Sequence, residues 1–283
     1  MADQRFVFRD GTRTLELPNI ADIVGFGLPP VELGTVERGW RRDGQTVQWT
    51  RYDARPFSIQ FDVDGMTYEA AASTRRAILA FFAGRRPISL ECTRFDGLVL
   101  TLTDIHLAAP SAHVMHQIPF LQETLQFIAG NPFFTRAIPM SSVLLEAALL
   151  EWPDADGLEW VEDGIEFSSA EDEITVNNNG DVDADALVQF MGPATTPYIK
   201  NTTTGTLIKV NRDLGEDDIL EYDSATGRVD IIAADGSRNN AYNFLTDDSG
   251  ILRYVPGVNQ LEFGSAGGGG RIRAGGTEYY ASL

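Results

Sequence analysis

The residues that most resemble a chemical site are three aspartates that alternate along the stretch VNNNGDVDAD, Asp181, Asp183 and Asp185. Alternating oxygen ligands are what a calcium loop supplies, but a helix–loop–helix site also needs glycine at its sixth position and glutamate at its twelfth. Counting from Asp181, neither residue stands in its place. The flanking residues alternate as in strands, and Asn-Gly between two such runs is a strong hairpin signal. We therefore predict a hairpin turn and no metal site.

The three histidines are the other candidate metal ligands, His106, His113 and His116. Zinc needs at least three protein ligands even in an open site, and it usually takes them from CxxC or HExxH patterns. The chain has neither pattern, and Cys92 is its only thiol. We expect surface or hydrogen-bonded histidines. We also expect a buried, unreactive thiol at Cys92, because its neighbours form an apolar, strand-like run.

No sequence pattern supports phosphate binding or nucleophilic catalysis. The glycine run 267–270 precedes Arg-Ile-Arg, not the Lys-Ser/Thr of a phosphate loop, and we predict a flexible connection before the last strand. Ser111 and Ser168 lack the GxSxG turn of a nucleophile elbow. Carboxylates are so abundant in the second half that no glycosidase pair stands out. We expect no catalytic, cofactor-binding or metal-binding residues, and no enzyme.

Aromatic side chains of the second half are candidate platforms for sugar rings. Most aromatic residues of β-sandwiches belong to the core, so glycan binding stays open at this point. The candidates are Trp152, Trp160, Tyr198, Tyr222, Tyr279 and Tyr280.

Charge divides the 283 residues unequally. Residues 1–137 carry 14 arginines and no lysine against 15 acidic residues, so 138–283 hold −18 of the total net charge of −19. This shift predicts two domains with a boundary near Arg136. Such an acidic half is not expected to bind nucleic acid. No apolar run has the length of a membrane span, about 18 residues, and the start lacks a signal-peptide pattern, so we expect cytoplasmic synthesis without membrane insertion.

Short alternating runs between turn residues predict a mainly β protein. The first half contains a hairpin at Asp10-Gly11, a loop at GFGLPPVELG, a strand at PFSIQFDVDG and one helix that starts after Thr67 and stops near Gly84. SSVLLEAALLEW fits a helix or a strand. Beyond it, strands such as EITV, ALVQFMG and AYNFL, with a hairpin at SATG, predict an antiparallel β-sandwich.

The second half resembles the C-terminal domain of siphophage distal tail proteins, the Dit baseplate-hub family. That pattern includes an Asn-x-Gly-Asp turn, a strand ending in Gly-Pro, a Pro-x-Ile strand, a Thr-Gly turn and Pro-Gly-x-Asn before an apolar strand. The chain reads ITVNNNGDVDADALVQFMGPATTPYIKNTTTGTLIKVN and later YVPGVNQLEF, in the same order. The first half agrees in layout, from LPPVELG to the closing QFIAGNPFF. The chain departs from the family at Asp183-Ala184-Asp185, where proline is frequent.

The resemblance implies a β-rich belt domain at 1–137 that closes into a homohexameric ring, and a galectin-like β-sandwich at 138–283 that faces outward. It implies a non-enzymatic virion protein of the tail tip without a cofactor, used in tail assembly and host attachment. Its partners would be the tail tube protein, the tape measure protein, the tail-tip hub protein and receptor-binding or fibre proteins. DNA would cross the ring without sequence-specific binding.

The position of the ring contact and two alternative functions are further expectations. We expect the contact in the PPVELG loop or the PFSIQF strand, because exposed strand edges pair with other chains. The alternative to a pure hub is a module of the tail tip that binds host surface polysaccharide. A gene transfer agent or a tailocin would use the same kind of part.

Overall fold

The computed structural model describes residues 5–37, 45–65, 67–84, 86–110, 114–115, 120–144, 173–233 and 235–283. The chain divides into two compact units, Met1–Arg136 with Tyr279–Leu283, and Ala137–Glu278. No sequence pattern indicated that the last five residues belong with the first unit. The described residues form antiparallel sheets and one α-helix, which confirms the predicted mainly β fold with one helix.

The first unit is built around one curved sheet in the order β2–β1–β7–β8–β10–β6–β3, and helix α1 contacts β6 and β10. A separate sheet consists of β4 and β5 alone. The elements in chain order are β1 (Arg5–Arg9), β2 (Thr14–Glu16), β3 (Ile20–Val24), β4 (Val31–Glu37), β5 (Gln45–Tyr52), β6 (Arg55–Asp64), α1 (Tyr68–Phe82), β7 (Ile88–Thr93), β8 (Val99–Pro110), β9 (Val114–Met115), β10 (Phe120–Ala129) and β11 (Phe134–Leu144), whose start belongs here.

Local sequence accounts for the helix. The Thr67 hydroxyl accepts a hydrogen bond from the Ala70 amide at 3.2 Å and caps the first turn, as predicted. The helix ends with Ala83 as its C-cap in a right-handed conformation, so Gly84 follows the helix without supplying a left-handed turn. Phe82 of the helix packs edge-to-face on Phe8 at 5.0 Å between ring centroids, which places the helix over the aromatic core.

Strand β6 shows the predicted alternation, but its position corrects one expectation. Its inward residues Phe57, Ile59, Phe61 and Val63 are buried. The strand lies between β10 and β3, so its main chain is paired on both sides within the unit. A ring contact by main-chain pairing of PFSIQF is therefore wrong. The predicted loop GFGLPPVELG also ends earlier than expected, because β4 begins at Val31.

The second unit is a sandwich of two antiparallel sheets. One has the order β18–β17–β16–β13–β21 and continues to β11, and the other has the order β12–β20–β14–β15. Inward residues of both sheets share one core, among them Phe190 and Leu220 from the first and Ile199 and Phe263 from the second. The strands are β12 (Glu173–Asn178), β13 (Val182–Met191), β14 (Tyr198–Asn201), β15 (Thr206–Lys209), β16 (Ile219–Asp223), β17 (Arg228–Ile232), β18 (Arg238–Asn240), β19 (Arg253–Tyr254), β20 (Gly257–Gly264) and β21 (Arg271–Tyr280).

Two further predictions for this region are settled by the strands. The hairpin at SATG is confirmed, since Asp223 pairs with Arg228 across the turn. The strand predicted at AYNFL is wrong, because Tyr242–Phe244 form a single 3-10 turn. Of the ambiguous segment SSVLLEAALLEW, residues 141–144 end strand β11 and the remainder lies outside the described residues.

Candidate functional site

The turn in VNNNGDVDAD joins the two sheets of the sandwich, which corrects the predicted hairpin. Strand β12 pairs with β20, whereas β13 pairs with β16, so the two strands beside Asn-Gly are not partners. The buried Asn178 side chain holds the crossing. Its Nδ2 donates to the carbonyl oxygens of Val182 at 2.9 Å and Tyr254 at 2.8 Å, and its Oδ1 accepts from the Gly180 amide.

The three aspartates of this turn do not converge. Asp185 lies 3.6 Å from the Arg253 guanidinium and accepts from the Ser224 hydroxyl at 3.5 Å, whereas Asp181 and Asp183 are exposed. Within the part of the chain that the structure describes, no three His, Cys, Asp or Glu side chains are grouped as metal ligands. Asp185 therefore contacts residues of neighbouring segments instead of the other two aspartates.

Two more buried asparagines complete a network around the segment from Arg253 to Gly257. Asn201 Nδ2 donates to the Arg253 carbonyl at 3.0 Å and to Asn259 Oδ1 at 3.1 Å. Asn259 accepts from the Val255 amide at 3.0 Å and donates to the carbonyl oxygens of Val255 at 2.8 Å and Gly257 at 3.1 Å. Side-chain amides thus supply hydrogen-bond partners to backbone groups of this segment.

The network links the sequence motifs on which the resemblance to the Dit family rests. Asn178 opens the Asn-x-Gly-Asp turn, and Asn259 closes Pro-Gly-x-Asn. Asn201 precedes the Thr-Gly turn, and its Oδ1 accepts from the Thr203 amide at 3.0 Å. Motifs that are far apart in the sequence therefore meet at one place in the second unit.

The glycine run 267–270 connects β20 to β21 and packs closely against neighbouring backbone, so it is not the predicted flexible loop. Thr195 forms an isolated bridge with Gly267. A Cβ at Gly268 would collide with the Pro193 carbonyl oxygen, and one at Gly270 would collide with that of Met191. Gly268 also has φ near +100°, a conformation that favours glycine. The glycines therefore allow close backbone approach, and they form no phosphate cradle.

The thiol and the one described histidine agree with the predictions made for them. Cys92 is fully buried on β7, and burial raises the pKa of its thiol far above the usual range. His106 is exposed on β8, with Nε2 2.9 Å from Asp104 Oδ1. Four other candidates, His113, His116, Ser111 and Ser168, lie outside the described residues.

We predict that Cys92 resists alkylation in the folded protein. Only the thiolate is nucleophilic, and the raised pKa keeps the thiol protonated. Burial also keeps the reagent away from the sulfur. Iodoacetamide labelling followed by mass spectrometry should show less than about a tenth of the modification reached in urea, where the unfolded thiol has an ordinary pKa of about 8.5. Equal labelling in both conditions would show that the β7 environment is misassigned.

The aromatic candidates differ in their surroundings. Tyr222 is buried, and its hydroxyl accepts from the Leu252 amide at 3.1 Å, while Tyr280 is buried in the core of the first unit. Tyr279 packs against Phe133. Tyr198 lies on the outer face of the four-stranded sheet, and its hydroxyl donates to Glu262 at 3.2 Å. Trp152 and Trp160 lie outside the described residues.

The first unit has an open cleft of about 850 Å³ between β2 and the free edge of β3. Apolar lining residues include Phe6, Leu17 and Phe26. Among its charged groups, Arg5 and Glu16 form two side-chain hydrogen bonds of 2.9 and 2.7 Å, and Asp22 accepts from the Ile23 amide at 2.8 Å. Ser282 also lines the cleft.

The hairpin of β4 and β5 exposes large apolar side chains on both of its faces. Leu33 and Val47 are 53% and 49% exposed, and Trp49 is 48% exposed although its ring lies against Gly34. Arg51 lies over the Trp49 ring at 5.6 Å. The sequence signal for this surface is present in VELGTVE and QTVQWTRY, but the predicted loop GFGLPPVELG includes the first four residues of VELGTVE.

Two family models match the chain. Residues 179–272 match the siphovirus-type tail component, C-terminal domain, of the Dit type, and residues 13–129 match the phage tail protein RIFT-related domain. Comparison with curated protein sequences gives no match.

Solved structures of phage tail proteins share the fold. The Dit protein of phage SPP1, titled a paradigm of the hub adsorption apparatus in phages that infect Gram-positive bacteria, aligns with a TM-score of 0.65 at 14% identity and covers 98% of this chain and 99% of its own. A chain from the activated, calcium-bound baseplate of phage P2 aligns with a TM-score of 0.52 at 8% identity, with all of both chains covered.

The family matches and the fold agree in both units of the chain. One family match falls in the first unit and the other in the second. The SPP1 alignment extends over both units. The chain belongs to the siphovirus Dit family of phage tail proteins.

Proposed function

We propose that this protein forms a homohexameric ring at the distal end of the tail, in which residues 1–137 close the ring and the sandwich of 138–283 faces outward. The observation that carries the proposal is the β4–β5 hairpin. A two-stranded hairpin is marginally stable in water by itself, and this one exposes Leu33, Val47 and Trp49. A second copy that covers it would remove that apolar surface from water.

The geometry of such a contact favours a ring. A hairpin that rests on a different surface of the next copy makes a heterologous contact, and heterologous contacts close into rings when the rotation permits. The free edge of β3 and the cleft beside it provide a surface of the same unit that is unlike the hairpin. The PPVELG segment, which leads into β4, therefore remains the proposed ring contact.

Charge supports the outward position of the sandwich. The first 137 residues carry almost no net charge, whereas the remainder carries −18. Copies of the acidic part repel one another, although salt screens this over about 8 Å at physiological ionic strength. Near-neutral parts can pack side by side while the acidic parts remain apart.

The proposed partners follow from the family. The ring would join the tail tube protein and the tape measure protein to the tail-tip hub protein, and the sandwich would carry receptor-binding or fibre proteins. The particle would be a phage tail or a related particle such as a gene transfer agent or a tailocin. Cryo-electron microscopy of the native particle tests this arrangement, and a position of the sandwich along the inner channel would contradict it.

We predict that charge on the hairpin abolishes self-association. Leu33→Glu and Trp49→Glu each place a carboxylate where the proposed contact excludes water, which costs at least about 2 kcal/mol per copy. Size-exclusion chromatography with light scattering, at concentrations where the unaltered chain forms hexamers, should show monomers for both variants.

The matched control is Ile251→Glu, which places the same charge on an exposed apolar residue of the second unit. It should leave the hexamer unchanged. Hexamers that persist in both hairpin variants would exclude the hairpin as the contact. A chain that is monomeric at every concentration, and is also found as a single copy in the particle, would exclude the ring.

A further inference from the structure

The only two lysines of the chain lie together on the outer face of the four-stranded sheet. Tyr198 of β14 pairs with Lys209 of β15, and Lys200 follows Tyr198 by two residues on the same strand. Ile199 and Ile208 are buried, so by strand alternation Tyr198, Lys200 and Lys209 point away from the core. Two cations therefore flank one aromatic ring within a strongly acidic half of the chain.

The Tyr198 ring is held in place on this face. A Cβ at Gly264 would lie 2.8 Å from Cε1 of the ring, so the ring rests against the glycine backbone. Its hydroxyl donates to Glu262 Oε1 at 3.2 Å. Burial, followed by the charge of Glu262, raises the pKa of Tyr198, so the hydroxyl remains a donor at neutral pH. The ring is therefore a fixed, partly exposed platform.

Polar groups around the platform are oriented for a hydroxyl-rich ligand. Thr175 donates to Gln260 Oε1 at 2.9 Å, so the Gln260 amide nitrogen is the group left to donate outward. Glu262 pairs in register with Lys200 on one side and with Glu173 on the other. Asp248 is a carboxylate on which the charge of Lys209 acts.

The lysines are available to a ligand. Among the described residues, no carboxylate lies within salt-bridge distance of either ammonium group. Much of the acidic half would repel a polyanion, so the lysine pair favours binding at this face over most of that surface. The exposed ring adds a contact that a free ion cannot use but a sugar ring can.

We propose that this face binds an acidic polysaccharide whose sugar rings carry carboxylate groups. Tyr198 stacks against a sugar ring, and Lys200 and Lys209 pair with its carboxylate. Gln260 donates to a hydroxyl. This inference concerns a ligand of the sandwich and does not depend on ring formation.

The test is calorimetric titration of the full chain with a hexamer of galacturonate and with maltohexaose, a neutral chain of the same length. We expect saturable binding of the acidic hexamer and at least tenfold weaker binding of the neutral one. Tyr198→Ala should abolish binding, and Lys200→Ala and Lys209→Ala should each weaken it at least fivefold and reduce its salt dependence. Gly264→Ala keeps every contacting group but displaces the ring, and it should also weaken binding.

Controls separate the site from general effects. Arg271→Ala removes the same charge from an exposed position on β21, and Tyr242→Ala removes an exposed ring elsewhere in the second unit. Both should bind as the unaltered chain does, and circular dichroism should show all variants folded. The proposal is overturned by no saturable binding, by equal affinity for both hexamers, or by lysine variants weakened no more than Arg271→Ala.

Discussion

Replacing Asn259 with alanine should lower the free energy of unfolding of the second unit by roughly 2–4 kcal/mol, a large part of the 5–15 kcal/mol typical of a domain. The change leaves the Val255 amide and the carbonyl oxygens of Val255 and Gly257 without their side-chain partners. Each buried group left unsatisfied costs about 1–3 kcal/mol. The sum is reduced because Gly257 is exposed and its carbonyl can turn to water.

A second substitution at the same position separates hydrogen bonding from side-chain size. Asn259→Asp preserves the shape but replaces the Nδ2 amino group and its two N–H donors with one carboxylate oxygen, which faces the carbonyls of Val255 and Gly257. Burying that unpaired charge should destabilise the unit at neutral pH at least as much as the alanine does. If cavity formation dominated instead, the aspartate would be the milder change.

Hydrogen exchange at increasing denaturant concentration, followed by mass spectrometry of peptides from β12 and β20, measures the free energy of unfolding of the second unit. Asn177→Ala is the control, since Asn177 is exposed and, among the residues that the structure describes, its side-chain amide bonds to exposed Asn179 alone. That change should stay within about 0.5 kcal/mol. Exchange in Asn259→Ala that matches the unaltered chain would show that the asparagine network does not stabilise the sandwich.

Local sequence patterns were sufficient to predict several of the elements, but not the 3-10 turn at Tyr242–Phe244 or the start of β4. Alternation in PFSIQFDVDG predicts the buried face of β6, and Thr67 predicts the start of the helix, because both signals depend on neighbours within a few residues. The Asn-Gly turn is equally local, but whether its flanking strands pair is not. Asn178 bonds to Tyr254, 76 residues away, and this contact stabilises the turn after which the chain enters the other sheet at β13.

Glycine is ambiguous for a similar reason. In a sequence, a glycine run is compatible with a flexible linker and with a close backbone approach. The crossing at 267–270 is of the second kind because the Pro193 and Met191 carbonyls occupy the space that side chains would need. Those residues are more than 70 positions away, beyond the reach of any local pattern. The lysine pair beside Tyr198 is likewise a product of strand register.

Arg55 is the residue whose role the sequence concealed most, and its loss should be as severe as that of Asn259. Arginine is seldom fully buried without a carboxylate partner, yet Arg55 has no exposed surface. Its guanidinium donates to the carbonyl oxygens of Pro132 at 2.6 Å, Gly25 at 2.9 Å, Gly27 at 2.6 Å and Ala281 at 2.8 Å. One side chain thereby ties three distant segments of the first unit.

At Arg55 the hydrogen bonds of the guanidinium outweigh the cost of removing its charge from water. Burial lowers the pKa of Arg55, which reflects the cost of removing the cation from water, and Arg55→Met relieves that cost. The partners are backbone carbonyls, however, so they remain when the guanidinium is gone. Hydrogen bonds to a charged group contribute about 1.5–3 kcal/mol each, and four are lost together with the contact over the Phe134 ring. We expect a net loss of about 3–5 kcal/mol in the first unit.

The free energy of unfolding of Arg55→Lys should lie between that of the unaltered chain and that of Arg55→Met, since an ammonium group has three donors for four carbonyls. Arg9→Met is the control, because Arg9 forms a solvent-exposed pair with Glu91 and such pairs contribute little to stability. Hydrogen exchange of peptides ending at 283 should rise first in Arg55→Met, as Ala281 loses its donor. If Arg55→Met were as stable as Arg9→Met, the relief of desolvation would outweigh the four bonds, and Arg55 would not be what holds 279–283 in the first unit.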